Sequence, residues 1–216
     1  MGFVSSLMDL LFPPKCAFCG KVLVSGDEGW CARCTESLPF TLGSGRQEGD
    51  YYDFCVSPLY YKDVVRKSLL RYKFKGASGY ADAYGRILAD CIHDNPDINY
   101  DMISWVPLSS KRERSRGYDQ AMLLALATAL ELGEVAVETL KKTQDVRAQS
   151  ELSGKEERNA NISGAYNATD AELIAGKCVL LIDDIVTTGS TLSECAKVLL
   201  SAGAARVVCA ALARGE

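Results

Sequence analysis

The sequence predicts an α/β protein with a parallel sheet flanked by helices, preceded by a small cysteine-bearing module. Short apolar runs alternate with helical patterns along most of the chain, and strands alternating with helices imply crossovers that place helices on both faces of a sheet. The run Cys178–Ile182 contains no polar residue, as a central parallel strand requires. Four of the nine cysteines lie within the first 34 residues, which indicates a separate N-terminal unit.

Five segments of the body have the length and apolar content of strands. In chain order they are Tyr52–Tyr60, Met102–Val106, Val135–Leu140, Cys178–Ile182 and Val207–Leu212. Pro107 ends the second segment, because proline lacks the N–H that a sheet ladder needs. Parallel sheets of this kind bind ligands beyond the carboxyl ends of their strands.

Four segments carry apolar residues at the three-to-four spacing of an amphipathic helix. They are Asp63–Lys73, Gly79–His93, Gln120–Leu132 and Thr191–Ala202. Gly133 and Gly203 follow the last two, as glycine often does at helix C-termini. We interpret His93, the single histidine, as a structural or surface residue.

Two polar segments interrupt the pattern. Thr41–Asp50 is rich in glycine and polar residues and divides residues 1–40 from a body at residues 51–216. Lys141–Thr169 is polar and has no strand signal. Since loops that long are usually functional or disordered, we interpret it as a mobile cover over a functional site.

Composition narrows the function classes. The chain has 24 basic and 28 acidic residues, which argues against a general nucleic-acid coat. No apolar run reaches the roughly 20 residues that span a bilayer. Met1–Phe12 contains Asp9 and lacks the basic region and cleavage site of a signal peptide, so we expect a short helix packed on the body and a cytoplasmic protein.

The N-terminal cysteines form a paired CxxC pattern. Cys16 and Cys19 are followed, after eleven residues, by Cys31 and Cys34. Each CxxC turn brings two thiolates to one edge of a tetrahedron, and two turns complete a zinc shell. Because so short a module cannot fold by hydrophobic burial alone, we predict structural Zn²⁺; a redox dithiol is the alternative.

The function of this zinc-ribbon-like module is left open by the sequence. Phe18 and Trp30 are candidates for a platform on which single-stranded nucleic acid stacks. The module is not basic, however, so a docking or structural function is an equal alternative.

Val179–Thr191 (VLLIDDIVTTGST) predicts a phosphate- and ribose-binding strand, loop and helix. The start of a helix offers N–H groups and a positive dipole end to a phosphate, and Gly189 permits close backbone approach. The candidate phosphate-loop residues are Thr187, Thr188, Gly189, Ser190 and Thr191. Asp183 and Asp184 fit beside an anion site if the ligand offers sugar hydroxyls, as ribose 5-phosphate does; the alternative is a strand end followed by a helix cap.

A second anion site is expected in Val106–Gln120, after the strand that Pro107 ends. Ser109, Ser110 and Lys111 suit a tight donor loop. Arginines at positions 112, 114 and 116 lie alongside, and guanidinium groups bind phosphate oxygens in pairs. The alternative is a solvated charged loop.

A basic stretch runs from Lys62 to Lys75. It contains six cationic residues against Asp63 alone, and Lys73 and Lys75 lie at its end. A solvated helix face, a rim that guides phosphate ligands and a strip for a nucleic-acid backbone are all compatible with this pattern.

Val179–Thr191 resembles the 5-phosphoribosyl-1-pyrophosphate (PRPP) signature of the type I phosphoribosyltransferases. With the CxxC pair, Arg71–Gly76 (RYKFKG), Val106–Gln120 and Gln149–Tyr166, the chain resembles the ComF family, competence-associated proteins with a phosphoribosyltransferase domain behind an N-terminal cysteine module. Asn159–Ala160 departs from the family pattern, where further basic residues are expected.

The resemblance implies a phosphoribosyltransferase that transfers phosphoribose from PRPP to an acceptor it does not identify. Asp183 and Asp184 would be the catalytic pair holding the ribose hydroxyls, and Thr187–Thr191 would hold the 5-phosphate. The pyrophosphate would lie on Ser109, Ser110, Lys111, Arg112 and Arg116, with Mg²⁺ on the substrate oxygens. Two alternatives remain: a non-catalytic PRPP sensor, and a DNA-uptake factor that handles single-stranded DNA or binds DNA-uptake proteins.

Overall fold

A computed structural model describes residues 13–24, 29–43, 45–143 and 164–215. Its strands are β1 (Cys55–Val56), β2 (Leu59–Tyr60), β3 (Met102–Trp105), β4 (Leu140–Lys142), β5 (Tyr166–Ala168), β6 (Cys178–Val186) and β7 (Arg206–Arg214). Its α-helices are α1 (Ala32–Ser37), α2 (Asp63–Phe74), α3 (Ala81–His93), α4 (Ser110–Arg116), α5 (Gln120–Leu132), α6 (Ala171–Ile174) and α7 (Ser190–Ser201), with a 3₁₀ turn at Ser78–Tyr80. Within these ranges, no helix has the length and apolar character that a membrane crossing requires.

The main sheet is parallel in all its described pairings and has the order β1-β7-β6-β3, with β2 also paired to β7. β6 lies between β7 and β3, which explains why it begins with a run of apolar residues buried from both sides. The predicted parallel sheet is therefore confirmed, with the predicted acidic pair on a central strand.

Helices cover both faces of this sheet, as predicted. Along β6, Leu180 and Ile182 join a core formed with α2, α3 and α5, whereas Val179 and Leu181 join a second core formed with α7. This alternation is the ordinary two-residue period of a strand. It places successive residues at the end of β6 on opposite faces of the sheet.

Two predicted strands differ from the structure. Tyr52–Tyr60 contains β1 and β2 rather than one strand, because Pro58 lacks the N–H needed to continue the ladder. Val135–Leu140 is wrong as a strand: only Ala136 bridges to Ile103 of β3, Thr139 meets Ser104 through the two hydroxyl groups at 2.6 Å, and β4 begins at Leu140.

The predicted cover is ordered at both of its ends. β4 and β5 form an antiparallel pair, with Leu140 opposite Ala168 and Lys142 opposite Tyr166. The expectation that Lys141–Thr169 contains no strand is therefore wrong at its ends, where buried Leu140 and Tyr166 anchor the pair to the second core. Residues 144–163, the body of the predicted cover, lie outside the described residues, as does the predicted helix in residues 1–12.

The N-terminal module packs directly on the sheet domain. Cys16, Ala17 and Phe18 belong to the same buried core as α2 and α3. The segment predicted as a break is also tied to the sheet, since Phe40 bridges to Leu59 and Gln47 to Cys55. The division into residues 1–40 and 51–216 stays a prediction.

Candidate functional site

The two carboxyl groups of Asp183 and Asp184 lie near the end of β6 and face opposite sides of the sheet. Asp184 is buried, and its Oδ2 lies 2.8 Å from Nζ of Lys73 on α2. Asp183 continues the other face, within range of the electrostatic influence of Tyr166 and Cys195. The pair therefore lies toward the carboxyl end of the central strand β6, with one carboxyl group facing the elements on each side of the sheet.

Burial and the neighbouring carboxylate make Asp183 a weak acid. Burial, followed by the charge of Asp184, raises the pKa of Asp183 from 3.8 to about 8, while Lys73 and the backbone N–H of Asp184 act in the opposite direction. That N–H donates to Oδ1 of Asp183 at 2.8 Å. A ligand that brings hydroxyl donors or positive charge to this carboxyl would favour its ionised form.

The loop after β6 leads directly into the twelve-residue helix α7. Gly189 adopts φ +76° at the helix N-cap, a conformation that L-residues rarely adopt, and its carbonyl accepts from Ser193 N–H at 2.8 Å. The hydroxyl oxygens of Thr188 and Ser190 lie 2.8 Å apart. Hydroxyl groups, a glycine and the start of a long helix thus meet at one point, as an anion site requires.

Two residues that the sequence did not single out lie against this loop. Nε2 of Gln47 donates to the carbonyl oxygen of Thr187 at 3.3 Å. The Tyr52 ring is buried, and its hydroxyl contacts Gly189 so closely that a Cβ there would overlap it. Within the described residues, this buried hydroxyl has no hydrogen-bond partner. Both residues precede β1, and no local motif marks them.

The predicted pyrophosphate segment is helical rather than a loop. Ser109 is buried at the N-cap of α4, and Ser110 and Lys111 lie in its first turn. The helix is limited to seven residues, about two turns, because Gly117, at φ +86°, ends it and Asp119 caps α5 directly afterwards. The expected tight donor loop of Ser109, Ser110 and Lys111 is therefore wrong in conformation.

The three arginines of this segment differ in burial and in their distance from the acidic pair. Arg116 lies partly buried within range of the Asp184 charge, which opposes the lowering of its pKa by burial. Its guanidinium donates to the Gln120 side chain and lies 4.8 Å from the centre of the Phe74 ring. Arg112 is half-buried and within range of the Tyr166 hydroxyl, whereas Arg114 is exposed. Arg112 and Arg116 thus lie near the acidic pair.

The other side of the site is formed by the β4–β5 pair. Nζ of Lys142 donates to the Tyr166 hydroxyl at 2.9 Å. Burial raises the pKa of Tyr166 well above its ordinary value, and Cys195 and Asp183 act in the same direction. Gly164 N–H donates to Glu194 Oε1 on α7 at 2.7 Å. The base of the predicted cover is therefore anchored next to Asp183 and α7.

The four predicted zinc ligands converge in the N-terminal module. All four Sγ atoms lie within 4.8 Å of one another, with Cys16–Cys34 at 3.7 Å and Cys19–Cys31 at 3.8 Å. Zn–S bonds of about 2.3 Å in a tetrahedron require S···S edges of about 3.8 Å, so the donor set fits zinc. In the described ranges no other group of three or more histidine, cysteine or carboxylate side chains has a metal-binding arrangement.

The backbone supports thiolate at one of these ligands. Burial acts to raise the pKa of Cys16, but N–H groups of Cys19, Cys31 and Phe18 outweigh it and lower the pKa to about 7. The Cys19 N–H donates to Cys16 Sγ at 3.5 Å and the Cys31 N–H at 3.4 Å. Such N–H donation to sulfur is the usual support of a metal-bound thiolate.

The suggested stacking platform on the module is wrong for Phe18. Its side chain is fully buried, with its ring centre 5.8 Å from that of Tyr84 on α3 and 6.5 Å from that of Trp30. Phe18 fills the joint between module and sheet domain because the first CxxC turn projects it toward α3, so no base can stack on it.

Comparisons with known proteins agree with this two-part arrangement. Residues 118–216 match the phosphoribosyl transferase domain family, and residues 7–45 match the double zinc ribbon domain family. Competence protein ComFC of Bacillus subtilis is 28% identical over 203 residues, which cover 89% of this chain and 74% of the relative. DNA utilization protein YhgH of Escherichia coli is 29% identical over 221 residues, covering 92% of this chain and 96% of that protein.

Competence protein F of Haemophilus influenzae extends the same pattern, at 27% identity over 223 residues, with 93% of this chain and 96% of the relative covered. The two domain matches follow each other in the order that the cysteine pattern and the phosphate-site motif predicted. The relatives span nearly the whole chain. The chain therefore joins an N-terminal four-cysteine zinc module to a type I phosphoribosyltransferase-like domain, as its resemblance to the ComF family predicted, and over nearly its whole length it is similar to proteins named for competence and DNA utilization.

Proposed function

We propose that this protein binds PRPP with Mg²⁺ and transfers its phosphoribosyl group to an acceptor in the context of DNA uptake. One observation carries the proposal. Two adjacent carboxyl groups near the end of a central parallel strand stand beside a glycine-containing hydroxyl loop at the start of a twelve-residue helix. An acidic pair beside an anion site suits a ligand that combines a phosphate with sugar hydroxyls.

Each part of the ligand has a matching group. Thr187–Thr191 would hold the 5-phosphate at the positive end of α7. Asp183 and Asp184 would accept hydrogen bonds from the ribose hydroxyls. Arg112 and Arg116 would hold the pyrophosphate with Ser109, Ser110 and Lys111, since these residues lie beyond the adjacent strand β3.

The transfer requires little proton movement from the protein. The bond from the anomeric carbon to the pyrophosphate oxygen breaks, and the acceptor forms the new bond to that carbon. Asp183 and Asp184 would orient the ribose and stabilise the positive charge that develops on it. Mg²⁺ would be held mainly by pyrophosphate and ribose oxygens, where it screens the charge of the leaving group.

A calorimetric titration of the zinc-loaded protein with PRPP and Mg²⁺ tests this proposal. The test variant is the double substitution Asp183→Asn, Asp184→Asn. Its matched control is Asp82→Asn, Asp90→Asn, which makes the same two replacements on the exposed side of α3. We expect the unmodified protein and the control to bind and the test variant to lose binding; absence of binding by the unmodified protein would refute the proposal.

Turnover separates an enzyme from a non-catalytic sensor of the same ligand. Pyrophosphate release should be measured with a panel of acceptor bases once binding is established. Release that depends on one acceptor and disappears in the Asp183→Asn, Asp184→Asn variant supports the transferase. Binding without release by any acceptor supports the sensor.

A basic groove favours a second function, the handling of single-stranded DNA. A cavity of about 480 Å³ lies between the first CxxC turn and α2, and its lining includes Arg66, Lys67 and Arg71 but only one acidic residue, Asp63. The proteins named for competence and DNA utilization agree with this context. Affinity for single-stranded DNA that falls steeply with salt and is reduced by Arg66→Met, Lys67→Met would support it.

A further inference from the structure

Three consecutive residues at the end of α2 contact three separate parts of the protein. The Arg71 guanidinium donates to the carbonyl oxygens of Ala17, at 3.2 Å, and Phe18 in the zinc module. The Tyr72 hydroxyl donates to the Gln120 carbonyl oxygen at the start of α5 at 2.9 Å. Lys73 then contacts Asp184. The last turn of α2 is therefore fixed on two sides before its lysine reaches the acidic pair.

The Lys73–Asp184 pair is largely removed from solvent. The side chain of Lys73 is 20% exposed and that of Asp184 11%. Removing one partner of such a pair leaves an uncompensated charge in a medium of low dielectric constant, unlike removal from a surface pair. The ammonium therefore has a large influence on the orientation of the Asp184 carboxyl group.

We propose that Lys73 is a positioning residue of the sugar-phosphate site. It fixes Asp184 through Oδ2 so that Oδ1 of the same carboxyl accepts a ribose hydroxyl. This inference rests on the proposed function, because it assigns Asp184 to the ribose. Lys73 lies outside the segment that matches the phosphoribosyl transferase domain family, which begins at residue 118.

The same ion pair also offsets the electrostatic repulsion at the acidic pair. Two adjacent carboxyl groups repel each other and repel a phosphorylated ligand. Burial, followed by the first of these repulsions, raises the pKa of Asp183. Lys73 supplies the compensating charge on the Asp184 side, and Arg116 adds to it from α4. The acidic pair is thereby kept ready for hydroxyl groups although phosphate must approach it.

The fold of α2 does not depend on the Lys73 ammonium. Val65, Leu69 and Tyr72 of this helix are fully buried in the first core. The Tyr118 hydroxyl donates to the Tyr72 carbonyl oxygen and adds a second tie. Lys73→Met keeps most of the apolar stem of the side chain, so this variant removes the charge and leaves the helix in place.

A double-mutant cycle with ribose 5-phosphate tests the inference. The variants are Lys73→Met, Asp184→Asn and their combination, with Lys75→Met as a control that removes one exposed cation two residues away. We expect Lys73→Met to weaken binding of ribose 5-phosphate at least about 10-fold, the loss typical of a charge-assisted hydrogen bond. In the Asp184→Asn background the same substitution should change binding less than about 2-fold, since it acts through Asp184.

Inorganic phosphate distinguishes positioning from a general loss of structure or charge. Its affinity should change less than about 2-fold in Lys73→Met, because Lys73 pairs with Asp184 whereas phosphate would bind to the loop at residues 187–191, and Lys75→Met should bind both ligands as the unmodified protein does. Lys73→Arg should recover part of the ribose 5-phosphate affinity. Unchanged binding in Lys73→Met, an equal loss in the Asp184→Asn background, or a parallel loss of inorganic phosphate would each overturn the inference.

The failure of the proposed function gives a different result. If the unmodified protein binds neither ribose 5-phosphate nor PRPP, the proposed function and this inference are both refuted. If the unmodified protein binds and Lys73→Met binds equally well, only the assignment of Lys73 is refuted.

Discussion

Replacing Gly189 with alanine should be unusually costly, because two separate penalties meet at this position. Gly189 has φ +76°, and an added Cβ would overlap the hydroxyl of Tyr52. The next nearest atoms, Nε2 of Gln47 and Cζ of Tyr52, would lie at an ordinary contact distance of 3.5 Å. The steric penalty is thus due to a single oxygen atom.

The two penalties can be given separate magnitudes. A left-handed conformation costs a non-glycine residue about 1–2 kcal/mol. Overpacking a buried position by one carbon costs about 1–3 kcal/mol. Gly189→Ala should therefore lower the free energy of unfolding by about 2–5 kcal/mol.

Two further variants isolate each contribution in urea denaturation of the zinc-loaded protein. Gly133→Ala has the same backbone requirement, φ +73°, with nothing within 4 Å of the added carbon, so it should cost only about 1–2 kcal/mol. Tyr52→Phe removes a hydroxyl that has no partner among the described residues and should be close to neutral. In the Tyr52→Phe background, Gly189→Ala should then cost no more than Gly133→Ala.

The interpretation fails if Gly189→Ala is as costly with phenylalanine at position 52 as with tyrosine. It also fails if Gly189→Ala and Gly133→Ala are equally costly in the unmodified background, because the overlap would then carry no energy. Equal slopes of the unfolding free energy against urea concentration are required in all variants, so that the differences report stability rather than a change in the unfolded state.

Three other changes have defined outcomes. Because the pKa of Asp183 is raised from 3.8 to about 8, its contribution to stability is complete below the unfolded pKa and is lost progressively as pH rises to the folded pKa. Asp183→Asn should thus gain stability relative to the unmodified protein as pH rises from about 4 to about 8, with no further gain above that, and a constant difference in urea midpoint across this range would contradict this. Cys31→Ser should abolish stoichiometric zinc in metal analysis and shift the emission of Trp30, which packs on the fully buried Phe18; full zinc content would refute the ligand assignment. Arg71→Met should lower the free energy of unfolding by about 1–3 kcal/mol through loss of its hydrogen bonds to module carbonyls, measured against Lys67→Met, an exposed position of the same helix that should have little effect.

The elements that the sequence predicts correctly are those whose pattern is local. α5 has the predicted bounds, Gln120–Leu132, because a capping Asp119 and a left-handed Gly133 enclose an apolar run. Val135–Leu140 has strand-like residues, but whether it pairs depends on β3 and β5, which are distant in sequence. The sequence does not predict helix α4, because its charged residues show no apolar period and only Gly117 and Asp119 determine its end.

The residues of the candidate site also divide into those that a local motif predicts and those that only tertiary packing brings to the site. Asp183, Asp184 and the loop through Thr191 form one contiguous motif, so their proximity follows from chain connectivity alone. The basic pattern around Lys73 is compatible with a solvated face, a guiding rim or a nucleic-acid strip, and only the packing of α2 brings Lys73 to Asp184. In the sequence Tyr52 is indistinguishable from any aromatic residue of a strand. Its contact with Gly189 depends on the tertiary packing of the segment before β1 against the loop after β6.

The residues that the motif omits explain why the zinc module and the sheet domain share one chain. Gln47 and Tyr52 reach the loop after β6 from the stretch of chain between the zinc module and β1. Lys73 reaches the acidic pair from a helix whose preceding turn binds the module's backbone. A module that only recruited a partner would not need contacts with α2, whereas a module that positions α2 requires them. Removing zinc should therefore weaken ribose 5-phosphate binding in the unmodified protein but have little further effect in Lys73→Met, because both changes act on the same carboxyl.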